Sequence, residues 1–222
     1  MTASIAFLSP KGGVTKSTLA RATAVAFAAS DWAVFAADLE LGQGTFRKWM
    51  KRRTEAGITP VFPVRAFASI GQAAGEIKSG EWDLVVLDCP AFASVTTVEI
   101  AQLVDLVVLP TRYSTDDLES TAETANSLVL EGVDPKKIAI VFSGVAEARG
   151  THEREADRIE AGDYFSELPY HVIPGYIPHQ KALSTAQDGG RSIIECHYSG
   201  PRRKAENVIQ AIISRFEQVT EE

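Results

Sequence analysis

Apolar runs alternate with segments of helical period along most of the chain. Runs that are rich in apolar residues lie at 4–8, 32–37, 61–67, 82–87, 103–109, 138–142 and 170–173. Nearly continuous apolar strands with intervening helices are typical of a parallel sheet that is covered on both faces. The pattern therefore predicts an α/β fold with a doubly wound, mostly parallel sheet. Ligands of such sheets bind at the carboxyl ends of the strands, so polar residues at those ends are the candidates for a site.

Composition narrows this picture to one globular domain. The 222 residues are sufficient for a domain with its own core, and no linker or repeat divides them, so we predict a single domain over residues 1–222. The cysteines Cys89 and Cys196 have neither a disulfide framework nor metal-ligand spacing. Neither a signal-peptide pattern nor an apolar run of membrane-spanning length is present, so we expect a cytoplasmic protein.

A glycine-rich turn separates the first apolar run from an alanine-rich helical segment at 19–29. The turn, from Ser9 to Thr18, reads SPKGGVTKST. A strand, such a turn, Lys-Ser and a helix together make a phosphate-binding loop, because backbone N–H groups and the helix N-terminus attract a polyphosphate. Lys16 is expected to contact the β- and γ-phosphates and the Ser17 hydroxyl to bind Mg²⁺. The sequence therefore predicts a P-loop NTPase.

Acidic residues follow two of the apolar runs. Asp38 and Glu40 follow the run at 32–37, and Asp88 follows the run at 82–87. A carboxylate after an apolar strand is the Walker B arrangement, which orients Mg²⁺ through its water shell. We assign this role to Asp88. The alternative for Asp88 is a cap of the next helix.

The loop departs from the ordinary G-x-x-x-x-G-K-[ST] pattern, because Pro10 replaces the first glycine and Lys11 follows it. Lys-Gly-Gly-x-x-Lys-[Ser/Thr] resembles the deviant Walker A motif of the ParA/MinD family of ATPases. The resemblance implies an ATP-dependent homodimer in which Lys11 reaches the phosphates held by the partner subunit. Thr15 stands where this family has glycine. A threonine at positive φ is strained, so the loop must either relax or bear about 1–3 kcal/mol of strain.

The resemblance covers most of the chain. Asp38-Leu39-Glu40 resembles the family's Asp-x-Asp motif, which implies a Mg²⁺-shell role for Asp38 and positioning of the attacking water by Glu40. Gln43-Gly44 and Trp49 then follow as they do in the family, but the segment between the acids and Trp49 is one residue longer here. The segments at 103–119 and 177–194 resemble later family motifs, and Ser114 is expected to cap a helix.

The resemblance assigns three sets of site residues. Nucleotide contacts fall on Lys11, Gly12, Gly13, Val14, Thr15, Lys16, Ser17, Thr18, Ile177 and Pro178. Catalytic roles fall on Lys11, Lys16, Asp38 and Glu40, and Mg²⁺ contacts fall on Ser17, Asp38 and Asp88.

Two basic clusters stand out in a chain whose net charge is −7. The 47–53 cluster consists of Arg47, Lys48, Lys51, Arg52 and Arg53, and the 202–204 cluster consists of Arg202, Arg203 and Lys204. Each is either a solvated helix face or a surface for the backbone of non-specific DNA or for an acidic partner. We assign DNA binding to the 202–204 cluster.

The last segment predicts an amphipathic helix with Val208, Ile209, Ile212, Ile213 and Phe216 on one face. Its end is acidic, which disfavours anionic lipid, so we expect the helix to pack on the core and no membrane binding.

The expected function is that of a ParA-like ATPase that segregates or positions plasmid or other DNA cargo. The dimer would bind non-specific DNA on the nucleoid, and a ParB-like or other adaptor would stimulate hydrolysis. The alternatives are a nucleotide-gated binding module with little hydrolysis and a positioning ATPase for a protein cargo.

Overall fold

The computed structural model describes residues 2–40, 44–91, 95–146 and 151–221, without the side chains of Val95 and residues 151–158. The strands are β1 (Ala3–Ser9), β2 (Val34–Asp38), β3 (Val64–Ala66), β4 (Leu84–Ala91), β5 (Leu106–Thr111), β6 (Ile138–Val145) and β7 (His171–Pro178). The helices are α1 (Lys16–Ala29), α2 (Thr45–Glu55), α3 (Ile70–Ser79), α4 (Val95–Leu103), α5 (Thr115–Leu130), α6 (Thr151–Ser166), α7 (Lys181–Asp188) and α8 (Ser199–Glu221). Short 3₁₀ helices span Pro135–Lys137 and Ile193–Glu195.

The strands form one sheet in the order β3-β2-β4-β1-β5-β6-β7. Every neighbouring pair is parallel. This confirms the predicted doubly wound sheet of a P-loop NTPase fold. Asp38 and Asp88 pair directly across β2 and β4, so the two predicted acids lie side by side at the same edge of the sheet.

Helices cover both faces of the sheet. One apolar layer lies beneath α1, α2, α7 and α8, and the other lies beneath α3, α4, α5 and α6. The apolar face of α8 packs into the first layer, where Val208, Ile209, Ile212 and Phe216 are buried. The predicted core packing of the last helix is confirmed. No helix within the described ranges is long and apolar enough to cross a membrane.

Several strand predictions had the wrong bounds. The run at 170–173, for example, covers only the start of β7, which continues to Pro178. The run at 61–67 supplies only the three-residue edge strand β3, which pairs with β2 alone. The run at 82–87 ends too early, since β4 continues through Cys89 to Ala91 between β1 and β2. An irregularity in the β1–β4 register between Phe7 and Ser9 accommodates Pro90, which has no backbone N–H to donate.

Candidate functional site

A cleft of about 410 Å³ contains the phosphate-binding loop. Loop residues Gly12, Gly13, Thr15, Lys16, Ser17 and Thr18 line it, together with Arg21, Glu40, Thr45 and Ala91. The structure thus brings Glu40, from the end of β2, to the same cleft as the loop between β1 and α1. A glycine-rich loop that leads into a helix N-terminus is a site suited to phosphate.

Lys16 is a buried cation that lines this cleft. The residue is 7% exposed, and its Nζ makes one long hydrogen bond, 3.4 Å, to the carbonyl oxygen of Lys11. Burial lowers the pKa of Lys16, while the nearby carboxyls of Asp88 and Glu40 act in the opposite direction. The ammonium therefore has donors left for an anionic ligand.

Asp88 is fully buried, and neither carboxylate oxygen has a hydrogen-bond partner in the described part of the chain. Burial raises the pKa of Asp88 to about 7, although the Ser17 hydroxyl, without a well-formed hydrogen bond, and the Arg21 cation oppose this rise. The alternative of a helix cap is wrong, since neither oxygen accepts a hydrogen bond from the described residues. An orphaned carboxylate beside a serine hydroxyl is compatible with a hydrated Mg²⁺ ion.

Asp38 is as fully buried as Asp88, but its carboxylate oxygens accept hydrogen bonds. Its Oδ1 accepts a hydrogen bond from the Glu40 backbone N–H at 3.1 Å, and its Oδ2 accepts from those of Phe46 at 3.2 Å and Arg47 at 3.4 Å. The last two donors belong to the first turn of α2, whose N-cap, Gly44, has no side chain to cap it. In this arrangement Asp38 caps α2, and its Mg²⁺-shell role stays a prediction. Gln43 of the preceding turn lies outside the described residues.

Within the described ranges, no group of three or more His, Cys, Asp or Glu side chains is arranged to hold a metal ion. A divalent ion beside Asp88 would therefore take most of its ligands from phosphate and water, as Mg²⁺ commonly does.

Lys11 does not line its own cleft. Its Nζ donates hydrogen bonds to the carbonyl oxygen of Asp116 at 2.7 Å and to Oδ1 of Asp117 at 3.0 Å, at the start of α5. Burial alone would raise the pKa of Asp117, but hydrogen bonds from Ser114 and Lys11 lower it below its usual value. Ser114 is the N-cap of α5, as expected, yet its hydroxyl donates to Asp117 at 2.7 Å instead of capping a backbone N–H.

Thr15 occupies the left-handed region, with φ 66° and ψ 22°. The loop therefore bears the strain that a β-branched residue carries there. Its hydroxyl donates to the carbonyl oxygen of Val14 at 2.6 Å and forms a short contact with the hydroxyl of Ser143, at the end of β6. These contacts offset part of that strain and tie the loop to β6.

Two arginines of the site were missed in the sequence analysis. Arg21 is 8% exposed, lies over the rings of Phe46 and Trp49, and donates from Nη1 to Oε1 of Gln187 at 3.1 Å. Burial lowers the pKa of Arg21 to about 10. Arg112 follows β5 and donates from Nη2 to the carbonyl oxygen of Gly13 at 2.6 Å. The position of Arg21, four residues after Ser17 on the same helix face, was the available signal.

The later nucleotide segment lies beside the end of β6. Ile177 is 2% exposed and belongs to the core, and it pairs in register with Ser143. Pro178 ends β7 and is also buried. Because the Ile177 side chain is enclosed by the core, a contact with a base from this residue would use its backbone.

The 47–53 cluster is not wholly a surface cluster, because Arg53 is fully buried. Its guanidinium forms a bidentate ion pair with Glu195, at 2.6 and 2.8 Å, and donates to the carbonyl oxygens of Thr59, Pro60 and Gly190. Arg47, Lys48, Lys51 and Arg52 are exposed. The expectation that all five residues form one external surface is therefore wrong for Arg53, which ties α2 to the segment after α7.

The 202–204 cluster is partly engaged within the protein. Lys204 donates to the Tyr176 hydroxyl at 3.0 Å and lies 4.9 Å from the centre of that ring. Arg202 forms an ion pair with Glu206 at 3.4 Å. Arg203 is exposed. DNA binding by the 202–204 cluster stays a prediction.

The fold is shared with solved structures. MinD complexed with Mg-ADP from Pyrococcus horikoshii OT3 is 16% identical with a TM-score of 0.71, and the match covers 96% of each chain. A Borrelia burgdorferi B31 protein assigned to plasmid partition and bound to AMPPNP is 14% identical with a TM-score of 0.70, over 97% of this chain and 100% of that one. The Cyanothece McdA–ATP complex is 16% identical with a TM-score of 0.66, over 95% and 96%.

No curated protein sequence gives a significant match. The family profile described as the CobQ/CobB/MinD/ParA nucleotide binding domain matches residues 5–193, which include the phosphate loop, the strand-end acids and all of the sheet except the first two residues of β1. The chain therefore belongs to the CobQ/CobB/MinD/ParA nucleotide-binding family.

Proposed function

We propose that this protein is a ParA-like ATPase that dimerises with Mg-ATP and positions a DNA cargo such as a plasmid. The ATP-bound dimer binds non-specific DNA, a ParB-like or other adaptor stimulates hydrolysis, and hydrolysis releases the DNA. ATP and Mg²⁺ are supported by the similar structures, which hold Mg-ADP, AMPPNP and ATP, and by the cleft, which offers a buried ammonium, a serine hydroxyl and an orphaned carboxylate.

The observation that carries the proposal is the separation of the two loop lysines. Lys16 lies inside the cleft, whereas Lys11 is held outside it by Asp117 with 39% of its side chain exposed. A lysine that does not serve the cleft of its own chain is available to the cleft of a second copy. This supports a dimer in which each Lys11 contacts the phosphates of the partner subunit.

Each residue of the cleft then has a defined task. Bound Mg-ATP supplies the phosphoanhydride bond that water cleaves. Lys16 binds the phosphates, Ser17 and Asp88 hold the hydrated ion, and Asp38 caps α2. Glu40, at the edge of the cleft, orients the attacking water.

A nucleotide-gated binding module with little hydrolysis is the second candidate. The strained Thr15 and the capping role of Asp38 favour it, since both alter elements on which turnover depends. A misplacement of about 1 Å in a group that positions a reactant lowers a rate by roughly 100-fold.

Phosphate release separates the two functions. We expect Mg²⁺-dependent release of phosphate from ATP that increases with duplex DNA or an adaptor and falls at least about tenfold in Glu40→Gln, which keeps the size of the side chain and removes its charge. The matched control is Glu81→Gln, an exposed acid outside the cleft. Binding of ATP without phosphate release, in the presence of DNA and adaptor, would favour the gated module.

A further inference from the structure

A second cavity, of about 450 Å³, lies between α7 and the segment that follows it, up to Tyr198. Its walls are mostly apolar and include Ala182 and Ala186 of α7 and the buried Cys196. It shares no lining residue with the nucleotide cleft. The opposite side of α7 serves that cleft, since Gln187 bonds both Thr18 and Arg21. The cavity is therefore a separate feature of the molecule.

The charged residues that line this cavity are all basic. Lys181 and His197 are exposed, and Arg191 is half-buried. Among the described residues none of these three side chains has a hydrogen-bond or ion-pair partner. No Asp or Glu belongs to the lining, although acidic residues outnumber basic ones in the chain, 29 to 22. Basic groups without partners around an apolar floor complement a negatively charged ligand that has an apolar body.

We infer that this cavity binds a small organic anion. The apolar body packs on Ala182, Ala186 and Cys196, and the anionic group is bound by Lys181, Arg191 and His197. The volume lies within the range of small-molecule pockets, which are mostly apolar with a few convergent polar groups. A charge-assisted hydrogen bond from Arg or Lys is stronger than a neutral one, so the anionic group provides the selectivity.

A pair of dyes that differ by one charge tests this inference on the whole protein without nucleotide. Anilinonaphthalene sulfonate has an aromatic body with an anionic group, and phenylnaphthylamine has a similar body without it. We expect the wild type to bind the sulfonate more tightly than the neutral dye. In Lys181→Gln/Arg191→Gln the affinity for the sulfonate should fall about tenfold, with a change of less than about twofold for the neutral dye.

Gly189→Leu tests the location of the bound dye. Gly189 has φ −85°, and an added Cβ would meet its nearest neighbour, the carbonyl oxygen of Ala186, at an ordinary 3.6 Å, so a side chain is tolerated there. Because Gly189 lines the cavity, the leucine should weaken binding of both dyes. Lys78→Gln, at an exposed lysine of α3, is the matched control and should change neither affinity.

The outcomes are decisive in both directions. Equal affinity for the sulfonate in the wild type and the double variant, or normal binding of both dyes by Gly189→Leu, overturns the inference. Thermal unfolding of each variant shows whether it is folded. If the double variant is not, Lys181→Gln alone decides, because that side chain is exposed and has no partner among the described residues.

Discussion

At the scale of single residues, Thr15 gives the phosphate loop an unusual geometry. Its backbone has the left-handed conformation that glycine adopts without strain, while its Cγ2 approaches Gly144 and its hydroxyl contacts Ser143. The side chain therefore fills part of the space between the loop and β6 and reduces the freedom of the loop to close on phosphate.

Removal of this side chain should improve nucleotide binding. We expect Thr15→Gly to bind Mg-ATP about fivefold more tightly in calorimetric titrations, a gain of roughly 1 kcal/mol, because the backbone can then approach the phosphates closely. Thr15→Ala is the control, since it removes the hydroxyl but keeps the Cβ at positive φ, and it should give a smaller gain. Weaker binding by Thr15→Gly would mean that the hydroxyl itself contributes to the site.

Asp88 makes the stability of the nucleotide-free protein depend on pH. Burial raises the pKa of Asp88 from 3.8 to about 7, so between these values the folded state binds more protons than the unfolded state. The contribution of Asp88 to the free energy of unfolding therefore falls as pH rises through this window, by at most about 4 kcal/mol.

Asp88→Asn should remove this pH dependence. We expect urea unfolding to show that the variant is more stable than the wild type at pH 8.5 and that the difference shrinks towards pH 5, where the wild-type carboxyl is protonated. Mg²⁺-dependent nucleotide binding should weaken in the same variant. A difference in stability that is constant from pH 5 to pH 8.5 would contradict the assignment of a buried, unpartnered carboxyl with a pKa of about 7.

At the scale of the helices, α2 and α8 contribute different surfaces. The buried face of α2 carries Arg53 beside Trp49, and its outer face carries Arg47, Lys48, Lys51 and Arg52. The start of α8 uses Lys204 and Arg202 in contacts within the chain. On α2, Lys51 likewise pairs with Glu55 and Arg52 donates to the carbonyl oxygen of Gln187. Which of the two clusters binds DNA therefore stays a prediction.

The salt dependence of DNA binding compares the two helices. Each cation in contact with duplex DNA contributes about 0.9 to the slope of log affinity against log salt. With ATP present, we expect Lys48→Gln/Lys51→Gln/Arg52→Gln to reduce the slope by up to about 2.7, and Arg202→Gln/Arg203→Gln to reduce it by less than about 1.8. Arg53 is left intact because its loss would leave Glu195 without its partner. Unchanged DNA affinity in both variants would favour a protein cargo.

At the scale of the whole molecule, local sequence patterns predicted the strands and helices better than the contacts between them. An apolar run predicted each strand of the described residues. All of these strands except the edge strand β3 contain residues that are buried in a sheet covered on both faces. The helical period could also have predicted that Arg53 is buried. Arg53 lies seven residues after Phe46 and four after Trp49, on the buried face of α2. Because Arg53 belongs to a run of basic residues, the sequence analysis placed it on the surface.

Contacts between distant segments could not be predicted from these patterns. The phosphate loop is contiguous, so its residues were found together from one motif. Arg21 meets Gln187 across 166 positions and Arg112 meets Gly13 across 99, and such pairs depend on the strand order, which periodicity does not specify. The role of Lys11 likewise depends on Asp117, 106 positions away.

The central claim is that ATP brings two copies together through Lys11, and the oligomeric state of matched loop variants tests it most directly. Size-exclusion chromatography with light scattering, with Mg²⁺ and a non-hydrolysable ATP analogue, should show a dimer for the wild type and for Lys78→Gln. Lys11→Ala should still bind the analogue but remain monomeric, and Lys16→Ala should not bind it. A Lys11→Ala protein that binds the analogue and dimerises as the wild type does would contradict the account.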